Sequence, residues 1–405
     1  MLPSTIPHGI IGIDMDSTSF DWYLSMPGDY KDQWGRCLTT RDGLSEFSQL
    51  LNDLGNPPVA LEGFHGQNLV LEIWLRNHNT TFYSIPPFNV ARFREAHISH
   101  NKNNKNDARA VASFTFHQFI QGTAERFHHH YTPDYSLRPL TRRHHQLSAL
   151  ITSEYSNLWK YIKLASPDLY IALKGKHPDF TFSSSALHSM GLLHLLSASP
   201  DISTWSSYSE DNLIALMGGK RFVGRSSLIT TLKSISSGSS PVSIGLQETL
   251  RQIASNLIKF KQDRKHIAHI LDSISSSNPL IAALRNERGL GPIIASSIVS
   301  EIITIIRFKN DDCLASYAGL GRTENKSGSS TSMRPTFTYN RYLKDAIFTA
   351  AIQHVIKNPD SHLTAYYKNK LAQGHSSFYA RRSLARALIR RIFRILKEAD
   401  HSSSV

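Results

Sequence analysis

Several features that define common protein classes are missing from this 405-residue chain. Only two cysteines occur, Cys37 and Cys313, far apart and without the spacing of metal ligands. A disulfide framework and a zinc finger are therefore not indicated, and a reducing cytoplasm is the expected compartment. The amino terminus has no secretory pattern, and no stretch reaches the roughly 18 consecutive apolar residues of a membrane-spanning helix. No membrane partner is expected.

Acidic residues are in the minority. Lys and Arg number 45 against 32 Asp and Glu, which gives a formal net charge of +13. Such a surplus attracts polyanions, so nucleic acid is the first partner to consider, and a basic but ordinary enzyme is the alternative. The sequence has no nucleotide loop of the P-loop type and no nucleophile elbow. The chain is long enough, and at 40% apolar enough, for two or three domains.

Short apolar runs alternate with a helix pattern in the first part of the chain. Residues 9–14 form an apolar run that ends in an acid, and an alternating segment follows at Phe20 to Leu24, which predicts a buried strand and a hairpin partner. A second apolar run ends at Glu62, before a helix pattern and a third apolar stretch. The alternation predicts an α/β domain in which acids at strand ends lie on the rim of a central sheet.

From about residue 130 the pattern changes to long helices separated by Ser-rich stretches. The clearest apolar stripe consists of Leu250, Ile253, Leu257, Phe260, Ile267, Leu271 and Ile274. Its alternating steps of three and four, interrupted only by Arg264, predict a coiled-coil seam for self-association. A helix packed inside its own domain is the alternative. Residues 175–245 are rich in Ser, Gly and Pro, which predicts an insertion with mobile loops.

The last part of the chain combines a glycine turn with a basic helix. Gly289 and Gly291 follow a helix-hairpin-helix pattern, whose backbone amides can hold a phosphate at a helix start. An ordinary Gly-capped turn is the alternative. Residues 379–397 predict an amphipathic helix with seven basic residues and no acid, which favours a phosphate-facing surface over a merely solvated one. The nucleic-acid contacts expected there are Arg381, Arg382, Arg386 and Arg390.

Three acids occur where metal-assisted phosphodiester chemistry would need them. Asp14 ends the first predicted strand, Glu62 ends a later one, and Asp107 opens a predicted helix. Such chemistry uses a divalent metal to polarise the phosphate, and Mg²⁺ prefers a few carboxylates plus water. Each acid alone is as readily a cap of a helix or turn, so the argument depends on their order and spacing.

These acids lie in blocks that resemble a known family. Gly-Ile-Asp14, Leu-Glu62-Gly and the run from Lys102 to Ala108 look like the amino-terminal RuvC-like domain of the DEDD transposases of insertion sequence family 110, which includes the pilin-gene inverting recombinase. The third block is the most specific, because the family shows Lys-x-Asp-Lys-x-Asp-Ala there. The resemblance also assigns nucleic-acid contacts to the basic residues of this region, which are Arg92, Arg94, Lys102 and Lys105.

One position departs from the family's pattern. This chain has Asn104 where the family has the first acid of the third block. An amide oxygen can still ligate a metal but carries no negative charge, so Asn104 is either a tolerated ligand with weaker metal affinity or the mark of an inactivated enzyme. Asp16 would lie about 7 Å beyond Asp14 on an extended strand and is a weak substitute.

The resemblance continues near the carboxyl end. Segments at Phe308, Leu314 to Leu320, Lys326 to Gly328 and Asn340 to Lys344 follow the order and spacing of the family's carboxy-terminal transposase domain. In that family a serine beside this glycine is the DNA nucleophile, and by position it is Ser327. The residues alone show only a serine in a Ser-rich, loop-like run.

The resemblance implies an α/β plus all-α fold in three domains. They are an RuvC-like, ribonuclease-H-type domain (1–125), a helical coiled-coil dimerisation region with a Ser-rich insertion (126–280), and a helical transposase domain with the helix-hairpin-helix and the serine nucleophile (281–405). The implied activity is that of a nucleoid-associated transposase of a bacterial mobile element, which cuts and rejoins double-stranded DNA. The implied partners are a bridge RNA and a second copy, in a homodimer or homotetramer.

The implied mechanism combines Mg²⁺ or Mn²⁺ with a covalent step. The metal ligands would be Asp14, Glu62, Asn104 and Asp107, and Ser327 would form a transient phosphoserine link to DNA. Two other classes stay open. A metal-dependent Holliday-junction-type nuclease would use the acids without Ser327, and a catalytically weakened nucleic-acid-binding descendant would keep the basic surfaces without turnover.

Overall fold

The computed structural model describes residues 7–27, 33–63, 68–98, 101, 103–128, 137–177, 188–219, 225–327, 330–335 and 339–402, with the backbone alone at 225–226, 322–327, 330–335 and 401–402. The chain divides into two units, Met1–Pro133 with Thr304–Lys309, and Asp134–Ile303 with Asn310–Val405. The first contains a mixed sheet with helices and the second is mostly helical, which confirms the coarse fold class. The three-domain division at residues 125 and 280 stays a prediction.

The first unit is built on a five-stranded sheet in the order β3-β2-β1-β4-β5. Its strands are β1 (Ile10–Met15), β2 (Ser19–Ser25), β3 (Gln33–Leu38), β4 (Val59–Glu62) and β5 (Phe82–Ile85). The first three are antiparallel neighbours, whereas β4 and β5 run parallel to β1. The helices are α1 (Arg41–Asp53), α2 (Leu69–Asn77), α3 (Pro87–His97) and α4 (Asn104–Ile120), with short 3-10 turns at Ala124–Phe127 and Ile305–Arg307.

The two faces of this sheet carry different residues because neighbouring positions of a strand point to opposite sides. Ile11 and Ile13 of β1 are fully buried among apolar side chains of α1 and α2, including Phe47. The other face carries Ile10 and Gly12 and packs on α4. The strand and hairpin predicted at residues 9–24 are therefore confirmed. Asp14, the polar residue of β1, lies on the α4 side because it alternates with Gly12.

A close approach of α4 to β1 occurs at Gly12. A Cβ atom there would lie 2.7 Å from the Ala112 Cβ and would overlap the Ala108 carbonyl and the Ala112 amide. Ala108 and Ala112 are both fully buried, so small residues face each other across this contact. The absence of a side chain at Gly12 therefore sets how closely α4 can lie on the sheet.

The second unit contains twelve helices among the residues that the structure describes, and one β-hairpin. Its helices are α5 (Leu137–Ala165), α6 (Pro167–Leu173), α7 (Met190–Ala198), α8 (Glu210–Leu216), α9 (Arg225–Ser237), α10 (Ile244–Ser275), α11 (Pro279–Arg285), α12 (Pro292–Ile302), α13 (Asp311–Tyr317), α14 (Arg341–Lys357), α15 (His362–Ala372) and α16 (Ser377–Ser402). Throughout the described ranges, no helix has both the length and the apolar character needed to cross a membrane.

The prediction of mobile loops over residues 175–245 is wrong for its described part. Short helices there pack into a core in which Trp205 and Leu193 are fully buried. Two of its serines cap helices: the Ser189 hydroxyl accepts a hydrogen bond from the Leu192 amide, and Ser209 does the same for Asn212. Serine favours helix starts because its side chain satisfies an amide that has no partner within the helix. Part of the serine content therefore reflects closely spaced helix starts.

The stripe predicted as a coiled-coil seam lies on α10. Its amino-terminal half, with Leu250, Ile253 and Leu257, is buried in the core formed with α5 and α7. Leu271 is also fully buried. Packing inside the same unit, the alternative to a seam, accounts for these positions, and self-association through α10 stays a prediction.

The Ser-rich run near Ser327 forms a β-hairpin rather than a loop. Strands β6 (Arg322–Ser327) and β7 (Ser330–Pro335) pair antiparallel, with Ser327 opposite Ser330. Both strands consist mostly of polar residues, so the sequence shows no alternating hydrophobic face from which a strand could be predicted. Ser327 is therefore the last residue of its strand, opposite the first residue of β7.

We expect Gly12→Ala to destabilise the protein by about 3 kcal/mol, because the new methyl group forces α4 away from β1. The change is measured by urea unfolding and by hydrogen exchange of β1 amides. Gly245→Ala is the matched control, since a Cβ at Gly245 in the first turn of α10 meets nothing within 4 Å. That variant should be neutral or slightly stabilised. Equal effects of the two variants would contradict the packing argument.

Candidate active site

A row of charged side chains crosses the sheet of the first unit at the carboxyl end of β1. Asp14 on β1 is the direct partner of Asp21 on β2, and Asp21 is the direct partner of Arg36 on β3. On the other side, Ile13 pairs with Leu61, so Glu62 stands beside Asp14 on the parallel neighbour β4. Directly opposed residues of neighbouring strands share a face, with Cβ atoms roughly 5 Å apart. Because Gly12 faces α4, this row lies on the α4 side.

Helix α4 brings an amide to the row. The Asn103 side chain caps the helix by accepting a hydrogen bond from the Asn106 amide, so the helix begins at Asn104. The Asn104 Nδ2 then donates to the Asp21 Oδ2 at 3.0 Å. Asn104 therefore meets the sheet as a hydrogen-bond donor to a carboxylate.

Asp21 is held from two sides. It is only 3% exposed, and the Arg36 guanidinium donates to both carboxylate oxygens, at 3.2 Å from Nε to Oδ1 and 2.9 Å from Nη2 to Oδ2. A buried carboxylate needs such compensation, since the desolvation of an unpaired charge is costly. Asp21 is thus a fixed member of the row, which also contains Asp14 and Glu62.

Asp107 is paired with an arginine. It lies one turn after Asn104 on α4 and forms an ion pair with Arg94 of α3 through Nη1 and Oδ1. The side chains of Arg94 and Asp107 are 11% and 6% exposed, so both ends of the pair are largely removed from water. Arg94, predicted as a nucleic-acid contact, is therefore part of the site interior.

The acids do not fit a metal ion as the structure arranges them. Across the described ranges, no group of three or more His, Cys, Asp or Glu side chains is placed to hold one. Two reasons are visible: Asp107 is bound by Arg94, and Asp21 is bound by Arg36 and the Asn104 amide.

Sequence reasoning missed Asp21 and Arg36. The signal was present, because Asp14 and Asp21 lie at matching positions on either side of the short turn that follows Met15, where Met15 pairs with Phe20. A predicted hairpin register would have placed the two acids together. Arg36 could not have been found in this way, since its place depends on a third strand.

The other basic residues predicted in the first unit lie near exposed aromatic rings. Arg92 is exposed, with its guanidinium 4.3 Å from the Phe88 ring centroid. The Lys105 Nζ lies 5.0 Å from the centroid of Trp34. Lys102 lies outside the described residues. Stacked cations and exposed rings suit the backbone and bases of a nucleic acid.

The root of the hairpin with Ser327 is tied down by polar contacts in the second unit. The Asn340 backbone amide donates to the Tyr317 carbonyl at 2.8 Å, which closes the segment between α13 and α14. The Asn340 Nδ2 also donates to the Glu301 Oε2 at 2.7 Å and to the Tyr317 hydroxyl at 3.0 Å. These contacts fix both ends of the segment in which β6 and β7 lie.

Glu301 of α12 is the centre of this network. It is 1% exposed and receives the Arg142 Nε at 2.7 Å and the Arg138 Nη2 at 3.2 Å. Burial alone would raise the pKa of Glu301, but the hydrogen bond from Arg142, the charge of Arg138 and the Asn340 amide outweigh it. The net pKa of Glu301 lies below its ordinary value, so the carboxylate stays charged at neutral pH.

The two glycines of the predicted helix-hairpin-helix have different surroundings. Gly289 has a φ of +98°, and a Cβ there would lie 2.7 Å from the His354 Cα of α14. Packing therefore requires glycine at this position whether or not the turn binds phosphate. Gly291 precedes α12, and a Cβ there would meet nothing within 4 Å. Phosphate binding by the helix-hairpin-helix at Gly289 and Gly291 stays a prediction.

The basic helix α16 is less free of acids than its sequence indicates. Arg386 pairs with both Asp311 and Asp312 of α13, and Arg391 pairs with Glu287 at 2.6 Å. The acids come from other segments, so a count along the helix could not find them. Among the paired arginines of α16, Arg390 has the most exposed side chain. Arg381 is partly buried.

Comparisons with known proteins match two segments of the chain to transposase families. Residues 11–167 match a family model for a transposase of the DEDD type of IS110, and residues 282–368 match one described as the transposase IS116/IS110/IS902 family. A protein of Streptomyces coelicolor, named an uncharacterized 43.6 kDa protein of insertion element IS110, is 29% identical over 153 residues. The alignment covers 38% of this chain and 37% of that protein. The first matched segment contains the charged row, and the second contains the hairpin.

Asn104→Asp should destabilise the protein by about 2 kcal/mol at pH 7 in a chelator, because it replaces a donor to Asp21 with a second carboxylate. Thermal unfolding measures the change, without metal and with Mg²⁺ or Mn²⁺. Added metal should recover the lost stability of this variant and should stabilise wild type much less, since an extra charged ligand strengthens a carboxylate site.

Asn106→Asp is the matched control, because Asn106 lies in the same helical turn but donates to the Asn101 carbonyl. It should lose less than about 1 kcal/mol and gain nothing from metal. An equal loss in both variants would contradict the contact between Asn104 and Asp21.

Glu301→Gln should cost about 3 kcal/mol at pH 7, because it leaves Arg138 and Arg142 without their carboxylate. The pKa of Glu301 is lowered on folding, so its contribution is complete above the ordinary pKa of 4.5 and is lost as the pH falls through the folded value. The difference between wild type and variant should therefore shrink in acid, as measured by urea unfolding at several pH values. Glu248→Gln, at an exposed pair with Arg251, should cost at most about 1 kcal/mol.

Proposed function

Because two segments of the chain match models of IS110-type transposases, we propose that it is a DNA transposase or site-specific recombinase of a bacterial insertion sequence. Such an enzyme cuts DNA strands and rejoins them in a new combination. The observation that carries the proposal is the charged row at the end of β1, which lies under α4 within the segment that the DEDD transposase model matches. Carboxylates in such a row are typical of phosphodiester chemistry.

In the proposed reaction, the Ser327 hydroxyl is the nucleophile. Its oxygen attacks the phosphorus of a DNA phosphodiester, the bond to the leaving sugar oxygen breaks, and the serine proton is lost while the sugar oxygen gains one. The product is a phosphoserine diester. A hydroxyl of the joining strand then attacks this phosphorus and releases Ser327. Each step exchanges one phosphodiester for another, so no outside energy source is needed.

The charged row would approach DNA with compensated acids. Arg36 and Arg94 offset the charge of Asp21 and Asp107, which reduces the repulsion between carboxylates and a phosphate. Arg92 and Lys105, with the rings of Phe88 and Trp34, extend the proposed nucleic-acid surface.

Finer parts of the proposal rest on the family resemblance. DEDD transposases usually use a divalent metal, so Mg²⁺ or Mn²⁺ is the ion to test, with Asp14, Glu62, Asn104 and Asp107 as the assigned ligands. Since two carboxylates of this site are bound by arginines, we expect weak metal binding. The same proposal includes a bridge RNA, a homodimer or homotetramer, an RuvC-like sheet and a phosphate-binding turn at Gly289 and Gly291.

A second candidate function is favoured by the contacts of Asn104 and Arg94. Both side chains neutralise or hydrogen-bond a carboxylate where a metal would otherwise be needed. A nucleic-acid-binding descendant with weakened catalysis would have this arrangement. It predicts that the protein binds element DNA without forming a covalent species.

Ser327→Ala should abolish strand exchange, with a loss of about 1000-fold or more, because no other group replaces a positioned nucleophile. The assay uses the full chain, paired DNA sites from the element ends and RNA transcribed from the flanking noncoding region. Wild type should give an SDS-resistant protein–DNA species that the variant lacks.

Ser332→Ala on β7, in the same hairpin, is the control and should stay within about twofold of wild type. Strand exchange by Ser327→Ala would refute the nucleophile assignment. Cleavage by wild type without a covalent species would instead support a junction-type nuclease.

A further inference from the structure

The second unit contains a cleft of about 730 Å³ between α13, the turn before β6, α15 and α16. Its volume falls within the range of roughly 300–1,000 Å³ that is typical of small-molecule sites. One wall consists of Arg382, Arg386 and Arg390, which are four residues apart and therefore share one side of α16. Tyr366 and Tyr379 also line the cleft.

The three arginines differ in their contacts and in their exposure to solvent. Arg386 is bound by Asp311 and Asp312, and the Arg382 Nη2 donates to the Gly321 carbonyl at 3.2 Å. These contacts hold the wall in place. Arg390 lies 3.5 Å from Asp311 and its side chain is 67% exposed, so most of its guanidinium is available to an anion. The cleft therefore has one prominent cationic group on a wall fixed by the other two.

The aromatic rings distinguish this cleft from a simple anion site. Tyr366 of α15 is 40% exposed although it lines the cleft. Tyr379 lies near the start of α16, with its ring centroid 4.5 Å from that of His375. An arginine next to accessible rings suits a nucleotide, whose phosphate takes the cation and whose base stacks on the ring.

We propose that this cleft binds one nucleotide of a single-stranded segment, with its phosphate at Arg390 and its base against Tyr366. In a duplex both faces of each base are covered by neighbouring bases, so a base reaches a ring in a cleft only when the strand is unpaired there. The proposal deepens the proposed function and rests on it, since the exchange of DNA strands requires locally separated strands.

The position of the cleft relates it to the hairpin. Gly321 lines the cleft, and β6 begins at the next residue and ends at Ser327. Six residues of extended strand span about 20 Å. A strand held in the cleft is therefore within about 20 Å of the Ser327 backbone, or roughly six steps of a nucleic-acid strand at 3.4 Å each.

The test measures binding of the full chain to fluorescent 12-nucleotide oligothymidylate, oligouridylate and a 12-base-pair duplex. Tyr366→Ala and Arg390→Ala should each weaken binding to a single strand about tenfold, and Tyr366→Phe, which keeps the ring, should bind like wild type. Arg390→Ala should also lower the salt dependence by about one charge, whereas Tyr366→Ala should not. Arg143→Ala, at an exposed arginine of α5 outside the cleft, is the control and should change affinity less than about twofold.

Photo-crosslinking adds a readout that does not depend on affinity. An oligothymidylate with one 5-iodouracil should crosslink to Tyr366 or Tyr379, as mapped by mass spectrometry of the folded protein. If Tyr366→Ala and Arg390→Ala lose binding to single-stranded DNA, to single-stranded RNA or to both, the result supports binding in the cleft and identifies the type of strand. An equal loss for Arg143→Ala, or a loss confined to the duplex, would overturn the proposal.

These outcomes are separable from the test of Ser327. Both cleft variants retain the serine, and oligonucleotide binding requires no bond cleavage. Failure of the binding prediction would leave the nucleophile assignment intact, and failure of Ser327 as nucleophile would leave the binding result intact.

Discussion

The contact between α4 and β1 at Gly12 determines the geometry of the first unit's site. Because glycine has no side chain, the backbone of α4 lies against the strand at Ala108 and Ala112. The amino-terminal turn of the helix is then close enough for the Asn104 amide to reach Asp21. A larger residue at position 12 would lift the helix and separate the two halves of the site. The arrangement of the acids therefore depends on Gly12, a residue that has no functional side chain.

Charge compensation by arginine recurs in both units. Asp21 has Arg36 in the first unit, and Glu301 has Arg138 and Arg142 in the second. Each pair contains a carboxylate that is nearly inaccessible to solvent, where an unpaired charge would be unstable. Some of the 45 basic residues are therefore matched to buried acids. Net charge predicts the class of partner, but only tertiary structure shows which arginines remain available to it.

The sequence predicted the strands and the helix that contain the acids, but it did not predict the contacts that the acids make. Strands ending near Asp14 and Glu62 and a helix that includes Asp107 follow from local patterns, and all three are present. The helix was predicted to open at Asp107 but begins three residues earlier, at Asn104. The place of Asp21 depends on hairpin register, and that of Arg36 on a third strand. The hairpin at Ser327 has no apolar alternation, so its pairing depends on the closed root at Asn340 and Tyr317, contacts between residues far apart in sequence.

Asn104 has a further physical meaning in this setting. An aspartate at this position could not donate to Asp21 and would leave Arg36 facing two carboxylates. With asparagine, Asp21 receives donors from both the sheet and the helix. The residue that departs from the family's pattern is thus matched to its neighbours in the absence of a metal. The uncharged residue at position 104 and the paired, buried Asp21 are in direct contact. Substitutions at the two positions should therefore have coupled effects on stability and on metal affinity.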